Sequence, residues 1–114
     1  MKYSLGFLTA TALCVAPMVL VNCDSSCGNG QIELGIAGSN QVIIFANDCG
    51  VIDETEPGQS VACNNGFVDG TSISCNNGFI SVVTTPDGSQ FGDCEGVAAS
   101  ACGISADAVC CVRL

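Results

Sequence analysis

The chain alternates between short apolar runs and dense turn signals. In Gln31-Ile32-Glu33-Leu34-Gly35-Ile36 the branched residues fall at every second position and share one face of an extended strand. Gly78-Phe79-Ile80-Ser81-Val82-Val83-Thr84 carries β-formers on both faces. Gln41-Val42-Ile43-Ile44-Phe45-Ala46 is continuously apolar, as expected of a strand covered on both sides. Between such runs lie Asn-Gly at 29–30, 65–66 and 77–78, Asp-Gly at 69–70 and 87–88, and Pro-Gly at 57–58. Asn-Gly and Asp-Gly supply the positive backbone angles that tight hairpins require. The pattern predicts a small, mostly β fold of hairpins forming a compact sheet or sandwich.

One segment departs from it. From Asp93 to Val109 the chain is rich in alanine, and Cys94, Ala98, Ala101 and Cys102 recur at helical spacing. This predicts one short helix near 93–102, with Gly103 as its stop. The last segment, Ala108 to Arg113, returns to strand character. A short repeat is also visible, Cys63-Asn64-Asn65-Gly66-Phe67-Val68 and Cys75-Asn76-Asn77-Gly78-Phe79-Ile80. Two copies are too few for a solenoid. They are expected to be two similar strand-turn units, each tethered by its own cysteine, rather than a duplicated binding loop.

The beginning of the chain reads differently. Lys2 is followed by an uncharged, largely apolar run from Tyr3 to Val21, the pattern of a secretory signal peptide over residues 1–22. The competing membrane-anchor reading is weakened by Gly6, Pro17 and the absence of a basic flank after the run. Cleavage options lie between 12 and 25, and they decide whether Cys14 and Cys23 are retained. Residues 23–114 are then a single domain, since this length accommodates only one core.

Cysteine usage supports an oxidising, extracellular compartment. Cys23, Cys27, Cys49, Cys63, Cys75, Cys94, Cys102, Cys110 and Cys111 fall within 23–114, close to the density of a disulfide-stapled secreted chain. No Cys-x-x-Cys pair and no histidine occurs, so disulfides are expected rather than a thiolate metal site. On a strand, the adjacent Cys110 and Cys111 point to opposite faces, so each is expected to bond a different partner. The sequence leaves the pairing open.

Charge narrows the partners. The formal net charge is -9, and from residue 23 onward Arg113 is the only cation against eleven Asp and Glu. Such a surface cannot neutralise phosphates, so neither nucleic acid nor an anionic membrane surface is an expected partner. With one arginine to pair, the carboxylates are expected mainly to repel one another, so mild acid should relieve strain rather than unfold the protein.

Chemistry is scarce. Without histidine, and without lysine beyond Lys2, a nucleophile has no ordinary base beside it, and no enzyme activity is expected. No cofactor and no metal site is predicted; Asp87 to Asp93 lacks the alternating ligands of a calcium loop. The densest acidic run, Asp53-Glu54-Thr55-Glu56 before Pro57-Gly58, is the candidate partner-binding patch through Asp53, Glu54 and Glu56, and it favours a cationic macromolecule.

Cys27 to Gly35 resembles the opening of a cysteine-rich repeat of some bacterial and protist secreted proteins. The chain leaves that pattern at Ile36-Ala37-Gly38-Ser39-Asn40. In style it is similar to the small cysteine-rich proteins that fungi release as effectors or toxins. The expected function is that of a secreted, cysteine-rich binding protein; the alternative is a self-assembling surface or wall protein.

Overall fold

The computed structural model describes residues 26–98 and 101–114; the expected signal peptide, Cys14 and Cys23 lie outside them. Seven strands form one antiparallel sheet: β1 (Ile32–Ala37), β2 (Gln41–Phe45), β3 (Val51–Glu54), β4 (Ser72–Asn76), β5 (Phe79–Thr84), β6 (Gln90–Gly96) and β7 (Ala106–Arg113). Their spatial order is β3-β2-β1-β7-β6-β5-β4. Two meanders, β1–β3 and β4–β6, are therefore joined by the strand that comes last in sequence. The mostly β, disulfide-rich fold expected from the turn spacing is the observed one.

Four of the six strand pairings contain a register shift. Between β1 and β7, Leu34 faces Val109 and Ile36 faces Ala106, so Gly35 opposes two residues, Asp107 and Ala108. Between β6 and β7, Asp93 and Cys94 oppose Cys111 alone. Each of these two bulges opens with an aspartate at positive φ, Asp107 at 57° and Asp93 at 47°. Aspartate tolerates that region better than most side chains because its short carboxylate bonds locally. Bulges bend the strand that carries them and sharpen its twist, which accounts for the curl of the sheet.

The larger core lies inside the curl, where Ile32, Leu34, Ile44, Ile73, Val83 and Phe91 meet. A smaller cluster of Ala37, Ile43, Phe45, Ile104 and Ala108 packs on the opposite face. β2 thus contributes alternate residues to both clusters, as its continuous apolar run predicts. Ile104 lies directly over Gly35; a Cβ on Gly35 would collide with Ile104 Cγ2 and lie 3.1 Å from the Ala106 carbonyl oxygen. Gly35→Ala is expected to destabilise the fold by about 1–3 kcal/mol through overpacking. Urea denaturation measures it, and an unchanged midpoint would show that Ile104 moves aside freely.

Four disulfides cross-link the described residues: Cys27–Cys110, Cys49–Cys102, Cys63–Cys75 and Cys94–Cys111. The adjacent cysteines of β7 do bond different partners. Cys110 reaches the segment before β1 and Cys111 reaches β6, so the central strand is bolted to both meanders. The repeat is resolved differently from expectation. Its two cysteines bond each other, and only the second copy forms a hairpin. There Asn77 and Gly78, at φ 54° and 80°, make the two-residue turn between β4 and β5. The first copy forms a 3-10 turn, Ala62–Asn64.

The expected helix near 93–102 is not formed. β6 continues to Gly96, because Glu95 and Gly96 pair with Cys110 and Val109 and Cys94 is bonded to Cys111. Among the described residues of that region only a 3-10 turn, Ala101–Gly103, remains. Long-range pairing with β7 overrides the local alanine-rich preference.

Candidate ligand cleft

The acidic run Asp53 to Glu56 does not present three charges to one surface. It alternates, with Asp53 and Thr55 buried, Glu54 half-buried and Glu56 exposed. Asp53, 1% exposed, accepts hydrogen bonds from the backbone N–H groups of Glu54 (2.8 Å) and Asp69 (3.0 Å) through Oδ1 and of Thr71 (3.0 Å) through Oδ2. Burial alone would raise its pKa, but these N–H donors, with the nearby Thr71 hydroxyl, hold it below the ordinary aspartate value. The Thr71 hydroxyl forms no hydrogen bond of standard geometry. Asp53 is therefore a structural tie that draws residues 69–71 along β3, and Glu54 and Glu56 are what the expected patch leaves to solvent.

Asp87 has a comparable local role. Its carboxylate accepts from the Thr85 hydroxyl (2.7 Å) and the Ser89 N–H (3.0 Å), which lowers its pKa to about 2 and closes the loop between β5 and β6. On the outer face Glu33 is fully buried beneath the segment that carries Cys27. Its Oε1 accepts the Ser26 N–H at 2.9 Å, and Oε2 has no hydrogen-bond partner. The Cys27 and Cys110 sulfurs and a Glu33 oxygen lie within 4.8 Å of one another, but both sulfurs are committed to their disulfide.

The feature with room for a ligand is a cleft of about 750 Å³. Leu34 of β1, Val42 of β2, Ile80 of β5 and Val109 of β7 contribute its floor, all residues of the larger core. The segment 60–63 and the β4–β5 hairpin bound it on one side, and residues 96–98 with 107–108 on the other. The Cys63–Cys75 bond fastens the first of these walls to β4. Val61 and Phe79, at 50% and 48% exposure, line it as well; they are two of the five large apolar residues that stand exposed among the described residues. Polar side chains in the lining are few, Ser60 and the single ionisable group Asp107.

The sequence did not mark these residues as a site, since they come from six separated stretches of chain. The repeat offered no signal either. The two repeat copies place their phenylalanines differently: Phe67 is buried in the core, whereas Phe79 follows the hairpin turn and stands half-exposed at the cleft. Both copies carry the same Asn-Asn-Gly-Phe turn signal, so the sequence could not tell which phenylalanine would face the surface. The chain thus combines an acidic surface, disulfides of the kind found in oxidising compartments, and an apolar cleft with one charge in its wall. No family model, characterised protein or solved structure matches the chain.

Proposed function

We propose that this is a secreted, non-catalytic binding protein that accommodates an apolar ligand or an apolar side chain of a larger partner in the cleft above Leu34 and Ile80. The single observation that carries the reading is a hollow of about 750 Å³ whose lining side chains are mostly apolar and include the exposed Phe79 and Val61. Ligand sites are commonly concave, mostly apolar and of a few hundred to a thousand Å³, with few polar groups. Four disulfides fit an extracellular protein that must keep such a site formed with a modest core. The surface charge favours approach of cationic macromolecules, with Glu54 and Glu56 as the accessible part of the acidic run.

The test uses a neutral apolar fluorophore, N-phenyl-1-naphthylamine. Saturable binding with a blue-shifted emission is expected. The double variant Val61→Ala, Phe79→Ala removes apolar surface that is exposed in the free protein, so it should spare the fold while weakening binding about tenfold. Absence of saturable binding, or affinity unchanged in the double variant, would remove the cleft from consideration as the site.

A further inference from the structure

We infer that the cleft selects a cationic amphiphile, an apolar chain ending in an ammonium group, and that Asp107 is the residue that reads the charge. This inference rests on the cleft being the binding site and specifies what enters it.

Asp107 owes its position to the irregularity of β7. The bulge opposite Gly35 places Asp107 at φ 57°, out of regular strand alternation, while Ala108 behind it packs into the smaller cluster. Bulges frequently re-aim a side chain at a functional position. Here the bulge brings Asp107, itself exposed to solvent, to the wall of a hollow whose other side chains are apolar apart from Ser60. Among the described residues no side chain hydrogen-bonds the Asp107 carboxylate, and their only cation, Arg113, sits over the Phe91 ring at 5.7 Å. A carboxylate beside apolar walls favours a ligand whose cationic head accepts the pairing while its chain displaces water from Leu34, Ile80 and Val109. An anionic head would meet both Asp107 and the acidic surface at large. A fatty acid is therefore the disfavoured amphiphile, and a long-chain amine the favoured one.

The experiment compares dodecylammonium, dodecanol and dodecanoate, each below its aggregation threshold, by displacement of N-phenyl-1-naphthylamine from the full protein at pH 7. Dodecylammonium is expected to bind about tenfold more tightly than dodecanol, and dodecanoate more weakly than either. Asp107→Asn should bring dodecylammonium to within about twofold of dodecanol and leave dodecanol unchanged. Asparagine is well suited to a positive φ, so the variant retains the backbone preference of the bulge. Asp93→Asn is the matched control, an aspartate that opens the β6 bulge opposite β7 and is absent from the cleft lining. It should leave the tenfold preference in place.

Equal loss of preference in both variants would mean that general surface charge, not Asp107, does the selecting, and would overturn the inference. So would dodecanoate binding as tightly as the amine in the native protein. Both results leave the cleft itself intact as a site. Failure of all three amphiphiles and of the fluorophore would instead refute the cleft. Salt titration of the native protein gives an answer independent of any variant's folding. Raising salt from about 0.05 to 0.5 M should weaken dodecylammonium several-fold and leave dodecanol unaffected; parallel behaviour of the two would count against the pairing.

Discussion

Removing the Cys27–Cys110 bond by replacing both residues with alanine is expected to lower the unfolding free energy by about 4–5 kcal/mol, a large fraction of the roughly 5–15 kcal/mol that holds a domain folded. The bond spans 83 residues, so in the unfolded chain it suppresses far more conformations than Cys63–Cys75, which spans 12. Topology adds to this. Cys110 lies on the strand that joins the two meanders, and Cys27 leads into β1 beside it. Releasing Cys27 also loosens the segment that covers Glu33, whose carboxylate then regains water. The same double replacement at Cys63 and Cys75 should cost about 3 kcal/mol. Urea unfolding of the two double variants side by side checks the order. An equal or smaller loss at 27/110 would show that β7 is held by its backbone ladder without need of that cross-link.

Asp53→Ala should cost about 2–4 kcal/mol, because the Glu54, Asp69 and Thr71 N–H groups lose a charged acceptor in a buried place. Asp53→Asn is expected to recover only part of it, since the amide replaces one accepting oxygen with a donor that faces N–H groups. The same residue predicts an acid response. Its folded pKa lies below the unfolded value of about 3.9. Its contribution is thus complete above that value and is lost as the pH falls through the folded pKa. The native protein should lose stability as the pH falls below about 4, and Asp53→Asn should lose less over the same fall. This reverses, for one group, the expectation that acid only relieves repulsion. The partners that stabilise the carboxylate are backbone N–H groups, which a count of arginines cannot reveal. A flat urea midpoint across that range in the native protein would restore the repulsion argument.

How far the sequence could be read depended on the range of the interactions involved. Period-two alternation in 31–36 and the apolar run 41–46 lie within single strands, and β1 and β2 appear where the pattern places them. The opposed directions of Cys110 and Cys111 follow from strand geometry alone. Residues 93–96, by contrast, carry helical spacing locally and become a strand through pairing with residues 109 and 110. Asp53 belongs to the same class. Its partners Asp69 and Thr71 stand sixteen and eighteen residues downstream, and in isolation the run Asp53 to Glu56 resembles a solvated loop. The cleft was beyond reach, because its floor unites β1, β2, β5 and β7 and its one charge depends on a bulge.

Both edges of the sheet are closed by side chains of the same connecting segment or by their grip on it. Asp53 fixes residues 69–71 along β3, and Val68 N–H adds a bond to the Glu54 carbonyl at 2.9 Å. On β4 the Asn65 amide pairs with the Ile73 backbone in both directions, accepting its N–H at 2.6 Å and donating to its carbonyl at 3.1 Å. An asparagine in that position imitates a neighbouring strand without offering a further edge, a device that discourages edge-to-edge association.

The placement of β7 has a consequence for biosynthesis. A ribosome delivers six strands before the one that separates β1 from β6. Until it emerges, each meander has an open flank where its seam will be, and Cys27 and Cys94 have no native partner within reach. The Cys63–Cys75 bond can form early, since both ends leave the ribosome within a dozen residues of each other. The others must wait, with the possibility of wrong pairing open throughout the delay. Wherever oxidation begins before β7 is in place, correct pairing competes with premature bonds, and disulfide isomerases would act mainly on the cysteines that β7 claims.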